Sequence, residues 1–380
     1  MTPTKWHCGR QPGYHPADRG YGEVYAVRRD GGYPYYVSQR EIDNLQGVPG
    51  VEPGDYLPEK MTAFATDFIQ RKVVAKEPFL LHLSHFLVHT PITAVKEYVA
   101  HYQTRLSAIR TDQDNVAYAT MLRAMDDSVG AIVKTLRKLG QPENTIIIFT
   151  SDNGGYTGRG TTSNYPLLGG KSFSYEGAYR VPFIAHWKGR IEAGQVSQTR
   201  VVGTDVYPTL LEAAGLPLDP VQHADGMSLL GELTGGRLGE RLPERALYFH
   251  HPHYSHASSP HSVIIAGPYK LIRYYNNAED EEALYNLHAD ASELLDLAPA
   301  QPGPVRQMAS KLDAFLRSCD AEMPIASDSV EGVRLLQLHA EGKTSGWSAH
   351  HADTTRVMDG RTERDLAFEE RAVYETKLRR

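Results

Sequence analysis

Thr145-Ile146-Ile147-Ile148-Phe149-Thr150-Ser151-Asp152-Asn153-Gly154-Gly155 is a β-branched, apolar run that breaks abruptly into an acid, an amide and two glycines. Ile146, Ile147 and Ile148 in a row, with no polar alternation, predict a strand buried on both faces, the pattern of a parallel sheet. Asp152 and Asn153 then stand at its carboxyl end, where open α/β sheets bind ligands. A carboxylate beside an amide oxygen offers hard donors to a divalent cation such as Ca²⁺. An ordinary Asx turn after a strand uses the same residues, so the remainder of the chain has to decide between the two.

Upstream, apolar residues recur at helical spacing from Tyr118 through Met121, Leu122, Met125, Val129, Ile132, Val133 and Leu136 to Leu139. They predict a long helix over 115–139, with Asp114 as N-cap and Gly140 and Pro142 as stop signals. Phe79-Leu80-Leu81-His82-Leu83-Ser84 reads as an earlier strand, so strand, helix and strand follow as a βαβ unit. Met61–Val74 reads as a helix, and residues 10–58, rich in Gly, Pro and Tyr, as loop or lid. Downstream, Val181–Trp187 reads as a strand and Thr204–Ala214 as a helix capped by Thr204.

Near residue 240 the texture changes. Short runs at Ala246–Phe249, Ser262–Ala266, Tyr269–Tyr275 and Ala283–Asn286, separated by turns, predict a small antiparallel sheet closed by a helix over Val305–Arg317. The expected organisation is therefore a large domain over 1–240, an α+β subdomain over 241–330 and a polar tail over 331–380.

Composition narrows the class. At 380 residues, 41% apolar and 23% charged, the chain can bury a large core. A net charge of −6 argues against a nucleic-acid partner recruited by bulk positive charge, yet leaves room for a local cationic pocket. Cys8 and Cys319 are the only cysteines, so this is neither a disulfide scaffold nor a zinc-type pair. No apolar run is long enough to span a membrane. The first residues carry no apolar signal segment.

Four clusters carry candidate chemistry: Lys5-Trp6-His7, His89-Thr90-Pro91, Asp152-Asn153-Gly154-Gly155, and Gly169-Gly170-Lys171 followed by Tyr175-Glu176-Gly177. Lysines are point charges suited to sulfate or phosphate oxygens. A histidine can protonate a departing alcohol, and a bound Ca²⁺ or Mg²⁺ neutralises an oxyanion. The set fits an ester of a tetrahedral oxyanion. Each piece also has a plain reading: solvated side chains near a terminus for Lys5 and His7, a turn for His89, and a loop for Gly-Gly-Lys.

The order and wording of these clusters resemble the type I sulfatases of the alkaline-phosphatase-like superfamily, from arylsulfatases to N-acetylgalactosamine-6-sulfatases. Thr4-Lys5-Trp6-His7-Cys8-Gly9 stands where the family has Gly-Lys-Trp-His-Leu-Gly. His-Thr-Pro at 89–91, Met-Asp-Asp-Ser-Val-Gly at 125–130, the run ending in Gly155, and Gly169 to Phe183 follow in family order, as do Asp205 to Gly215 and Leu284 to Leu287. The resemblance spans roughly residues 1–318 and implies an α/β fold: a mixed, mostly parallel sheet flanked by helices, with a small C-terminal antiparallel sheet and helix. It implies sulfuric ester hydrolysis with Ca²⁺ and a formylglycine nucleophile. Asp152 and Asn153 correspond to Ca²⁺ ligands, and Lys5 and Lys171 to the lysines that hold sulfate. His89 corresponds to the histidine that assists departure of the alcohol, and His7 to the one that helps release sulfate. Asp126 and Asp127 imitate a metal-binding pair but belong to the long helix, where they serve its solvated face.

The C/S-x-P/A-x-R motif from which formylglycine is made occurs at neither cysteine and at no serine, and the family's Asp-Asp metal pair is also missing. Both normally precede the Lys-Trp-His motif, so the expectation is a lost N-terminal fragment, a weakened Ca²⁺ site and a chain that is inactive alone. The alternatives are a non-catalytic binder of sulfated sugars and a phosphodiesterase or phosphonate hydrolase of the same superfamily. Substrate contacts are expected from the tyrosine-rich stretch Tyr14 to Tyr36 and from His250-His251-Pro252-His253-Tyr254, with His253 the leading candidate for a sulfated sugar or aryl sulfate. Family members are commonly secreted, periplasmic or lysosomal.

Overall fold

In the computed structural model of the chain, residues 2–3, 6, 12–25, 27–28, 34–46, 49–253, 258–275 and 281–325 are described, with residues 334, 369, 371–372 and 375–376. The expected polar tail lies almost wholly outside them. The chain divides into two compact units, 1–147 with 186–190, and 148–185 with 191–380.

The first unit is built on helices. Short elements come first: the two-residue strands β1 (Thr2–Pro3), β2 (Val24–Tyr25), β3 (Val27–Arg28) and β4 (Leu45–Gln46), and helix α1 (Gln39–Asn44). All but β1 fall within the stretch expected as loop or lid. Three long helices follow, α2 (Leu57–Ala75), α3 (Lys96–Ser107) and α4 (Val116–Lys138). Met61 of α2 and Met121 of α4 are fully buried in one apolar cluster with Tyr25, Tyr35 and Phe86. Phe68 and Ile69 meet Leu136 in a second. Asn115, one residue after the expected Asp114, caps α4, because its side chain accepts the Tyr118 N–H at 3.1 Å. Asp127 serves packing: it accepts from the Tyr98 hydroxyl of α3 at 2.7 Å and pairs with Arg123 one turn away at 2.9 Å.

Two expectations fail here for a common reason. Phe79–Leu83 joins no ladder, and Ser84 forms only an isolated bridge. The run at 146–150 does form β5 (Ile147–Thr150), but its residues are half-buried or exposed rather than buried on both faces. Among the described residues β5 pairs only with β6 (Phe183–His186), and an apolar strand is covered only as far as it has neighbours.

The second unit has a four-stranded antiparallel sheet in the order β10-β9-β8-β7, formed by β7 (Leu247–His251), β8 (His261–Ala266), β9 (Tyr269–Tyr274) and β10 (Glu281–Asn286). Register sets Ile264, Leu271 and Leu284 side by side, and next to them Val263, Ile272 and Ala283. Successive side chains point to opposite faces. The first row buries Met308, Leu312 and Leu316 of the C-terminal helix α8 (Pro302–Ser318). The second row packs against Leu168, Phe173, Tyr175 and Ala178, the last within the short helix α5 (Glu176–Tyr179). One sheet thus carries α8 on one face and the Gly169–Tyr179 stretch on the other.

Helix α6 (Val206–Ala213) and the short α7 (Leu230–Leu233) complete the unit. Thr204 is not the cap of α6. Asp205 holds the N-cap position but makes no side-chain bond to the helix; its fully buried carboxylate instead accepts from the N–H groups of Val202 and Met227 at 2.8 and 2.9 Å and pairs with Arg245.

Lys270 is fully buried on the face of the sheet that meets Gly169–Tyr179, with its ammonium 2.8 Å from Glu293 and 3.2 Å from Glu176. Burial raises the Glu293 carboxyl to about 7; the Glu176 carboxylate adds to the rise and the Lys270 ammonium opposes it. A folded-state pKa above the ordinary value of 4.5 means stability that is complete below pH 4.5 and lost as pH climbs through 7. Glu293→Gln mimics the protonated form. Its melting temperature relative to wild type, followed by circular dichroism, should therefore rise steadily from pH 5 to pH 8; a constant difference would refute the buried titration.

Candidate active site

The loops that carry the candidate residues in the second unit meet backbone to backbone. The Gly155 carbonyl accepts from the Lys171 N–H at 3.0 Å, Gly154 N–H donates to Ala178 at 3.0 Å, and Gly177 N–H donates to Leu168 at 2.9 Å. Only glycine permits this approach. A Cβ on Gly154 would lie 1.6 Å from the Gly177 carbonyl oxygen, one on Gly170 2.3 Å from the Gly155 oxygen, and one on Gly177 2.3 Å from the Gly169 oxygen. Asn164 clamps the crossing. Its Oδ1 accepts from Gly155 N–H at 3.0 Å, and its Nδ2 donates to the carbonyls of Gly155 and Gly169, each at 3.0 Å.

This crossing joins Asp152-Asn153 to Lys171, whose amide is fixed by Gly155 and whose side chain is half-buried. Asp152 is exposed and Asn153 half-buried. Asn153 Nδ2 donates to the Gly154 carbonyl at 2.9 Å, which turns the amide so that Oδ1 is its remaining ligand atom. A carboxylate and an amide oxygen are the right donors for Ca²⁺, but a full shell takes about six to eight oxygens. Among the described residues no group of three or more His, Cys, Asp or Glu side chains converges on one point as a metal cage. The two residues fit part of a Ca²⁺ shell.

His89 belongs to the first unit. Its Nδ1 lies 2.8 Å from the Thr90 carbonyl oxygen. A carbonyl only accepts, so Nδ1 carries the proton in that contact. The buried Tyr35 hydroxyl donates to the carbonyls of Phe86 and His89 at 2.9 and 2.6 Å and so holds the turn. Tyr35 and Tyr25 are each only 2% exposed, which removes both from the set of ring-stacking substrate contacts. Lys5 and His7 lie outside the described residues; between them the Trp6 indole N–H donates to the Tyr14 carbonyl at 2.8 Å.

The histidine run sits at the end of β7. His250 is engaged by the Ser262 hydroxyl and the Glu322 carbonyl, both at 2.7 Å. His251 pairs across the sheet with His261. Burial drives both His251 and His261 down to about 4, and neighbouring histidines add to the fall, so they are neutral at physiological pH. His253 is exposed, its ring 4.1 Å from that of His251. Tyr254 lies outside the described residues.

Asn164 and the Glu176–Lys270–Glu293 group escape a reading of the sequence. Asn164 sits in a Thr-Ser-Asn-Tyr-Pro loop with no periodicity. Lys270 did carry a signal, since it shares strand parity with Ile272 and Tyr274, the side that faces inward.

A family model described as Sulfatase matches residues 4–216, and one described as N-sulphoglucosamine sulphohydrolase, C-terminal, matches residues 168–322. The chain belongs to the sulfatase family. Among its relatives, the N-acetylgalactosamine-6-sulfatase of Canis lupus familiaris is 33% identical over 258 residues, which cover 62% of this chain and 46% of that protein. A sulfatase of Formosa agariphila is 30% identical over 318 residues, 76% of this chain and 54% of that one. This sulfatase chain spans about half the length of these relatives. Among solved structures, Ps i-CgsB superposes with a TM-score of 0.71 at 27% identity, over 91% of this chain and 78% of that one. Its complex with k-i-k-neocarrahexaose gives 0.70 at 25% identity, over 93% and 77%. The fold is the alkaline-phosphatase-like α/β fold with its C-terminal antiparallel sheet.

Gly154→Ala should lower stability by about 3 kcal/mol in urea denaturation, because backbone rather than a flexible side chain stands in the way. Asn164→Ala should cost ~1–3 kcal/mol through stranded backbone groups. Values within about 0.5 kcal/mol of wild type, the range of neutral surface substitutions, would show that the crossing is not under this constraint.

Proposed function

We propose that the chain grips the sulfate group of a carbohydrate sulfate ester and protonates the departing alcohol, within a sulfatase that hydrolyses the ester to alcohol and sulfate. The observation that carries this reading is the glycine crossing, which fixes an oxygen-ligand pair and a lysine on one junction. The relatives named N-acetylgalactosamine-6-sulfatase, and the related structure bound to a carrageenan-type oligosaccharide, support a sulfated sugar over an aryl sulfate.

In this proposal Lys171 and Lys5 place ammonium charges against non-bridging sulfate oxygens. Asp152 and Asn153 contribute oxygen ligands to Ca²⁺, whose charge, when bound, offsets that of the oxyanion. His89, with Nδ1–H committed to Thr90, delivers a proton from Nε2 as the imidazolium and returns to the neutral ring as the alkoxide leaves as alcohol. His7 assists release of sulfate, and His253 contacts the sugar. No residue here matches the motif that yields formylglycine, so these side chains account for binding, charge neutralisation and proton delivery, not for nucleophilic attack. A second reading, in which the chain binds sulfated sugars without turnover, uses the same side chains.

Calorimetry with N-acetylgalactosamine 6-sulfate tests the proposal. Lys171→Ala should weaken binding by about 10- to 100-fold, a loss of ~1.4–2.8 kcal/mol, and unchanged affinity would sink it. Release of sulfate by the chain alone would sink the second reading.

A further inference from the structure

We propose that Lys270, clamped between Glu176 and Glu293, is a positioning residue for Lys171: the buried triad sets the register of the Gly169–Tyr179 stretch on the sheet. The proposal rests on the assignment of Lys171 as the sulfate-gripping lysine.

Lys270 lies on β9, on the sheet face that packs against Leu168, Phe173, Tyr175 and Ala178. Its ammonium is 3.2 Å from Glu176 Oε1 and 2.8 Å from Glu293 Oε1, and 5.2 Å from the centre of the Tyr179 ring. Glu293 closes the group, since its Oε2 accepts the Glu176 N–H at 2.5 Å. Glu176 is the first residue of α5, five positions after Lys171. Two residues of one short segment are therefore fixed: Glu176 by the triad, and Lys171 through its N–H to Gly155. Glu293 adopts a left-handed backbone (φ +53°), which non-glycine residues rarely take, to present its carboxylate.

Burying three charged groups is an inefficient route to stability, because desolvation offsets the Coulomb attraction and apolar replacements of such groups are often neutral or stabilising. Apolar contacts of Phe173 and Tyr175 tolerate sliding; an ammonium between two carboxylates, one of them also holding a backbone N–H, admits one register. The groups facing Glu293 are Lys270 from β9 and Glu176 from α5. Tyr179 and His261 form the next layer, joined by a 2.9 Å hydrogen bond.

The test uses the full chain and compares wild type, Lys171→Ala, Glu293→Gln and the charge-free triple variant Glu176→Gln/Lys270→Met/Glu293→Gln. Two readouts are taken: affinity for inorganic sulfate, and hydrogen exchange at the Lys171 and Gly177 amides. The triple variant should melt within a few degrees of wild type, exchange these amides at least about tenfold faster and bind sulfate about tenfold more weakly. Wild-type exchange and wild-type affinity in the triple variant, with Lys171→Ala still impaired, would overturn the proposal. If Lys171→Ala leaves sulfate binding intact, the sulfate assignment fails, and exchange alone decides whether the triad positions the segment. Should the triple variant not fold, Glu293→Gln decides. Wild-type protection of the two amides should change between pH 6 and pH 8 and the variant's should not; identical profiles would overturn the proposal.

Discussion

Where residue 154 would carry a Cβ stands the carbonyl oxygen of Gly177, and that overlap governs much of the second unit. Two loops can pack backbone on backbone only if neither brings side chains to the contact. Gly154, Gly155, Gly170 and Gly177 meet that demand, and Asn164 supplies the hydrogen bonds that a bare crossing would lack. Glycine would otherwise be a poor choice for so fixed a place, since it surrenders the most conformational freedom on ordering. The return is that Asp152, Asn153 and Lys171 project from backbone held by the same few hydrogen bonds.

The C-terminal sheet supports this arrangement through its two faces. Alternation along β8, β9 and β10 sends Ile264, Leu271 and Leu284 toward α8 and Val263, Ile272 and Tyr285 toward the loop segment. The apolar face supplies adhesion without direction. Direction comes from polar contacts set into it: Ser174 with Tyr274 at 2.7 Å, and the ion triad around Lys270. The matched C-terminal family region begins at residue 168, so its span takes in the loop segment together with the sheet that carries it.

Elements with strong periodicity were legible in the sequence. The helix at Val116–Lys138, the four C-terminal strands and the helix at Pro302–Ser318 announce themselves through spacing. Lys96–Ser107 does not, because none of its residues is fully buried and its few apolar side chains, such as Val99 and Leu106, stand among polar ones. Phe79–Ser84 looks like a strand because sequence shows propensity but not whether a partner strand lies alongside. At the site, the Asp-Asn-Gly-Gly and Gly-Gly-Lys motifs were visible, but their union was not: residue 155 is joined to 171 by a backbone hydrogen bond and to 169 through Asn164, neither of which leaves a pattern in composition or period. Tyr35 was legible as an aromatic and misread as a substrate contact; burial gives its hydroxyl the task of holding the His89 turn.

Family membership and fold follow from the match and the superposition, and the chemistry rests on whether the crossing gathers a cation and an anion at one place. Linkage offers the most direct measurement: calorimetric titration of the chain with inorganic sulfate at zero and at saturating Ca²⁺. If Asp152 and Asn153 hold Ca²⁺ beside the anion that Lys171 grips, sulfate must bind more tightly with Ca²⁺ present, and Ca²⁺ more tightly with sulfate by the same factor. Sulfate affinity that is indifferent to Ca²⁺ would contradict the account.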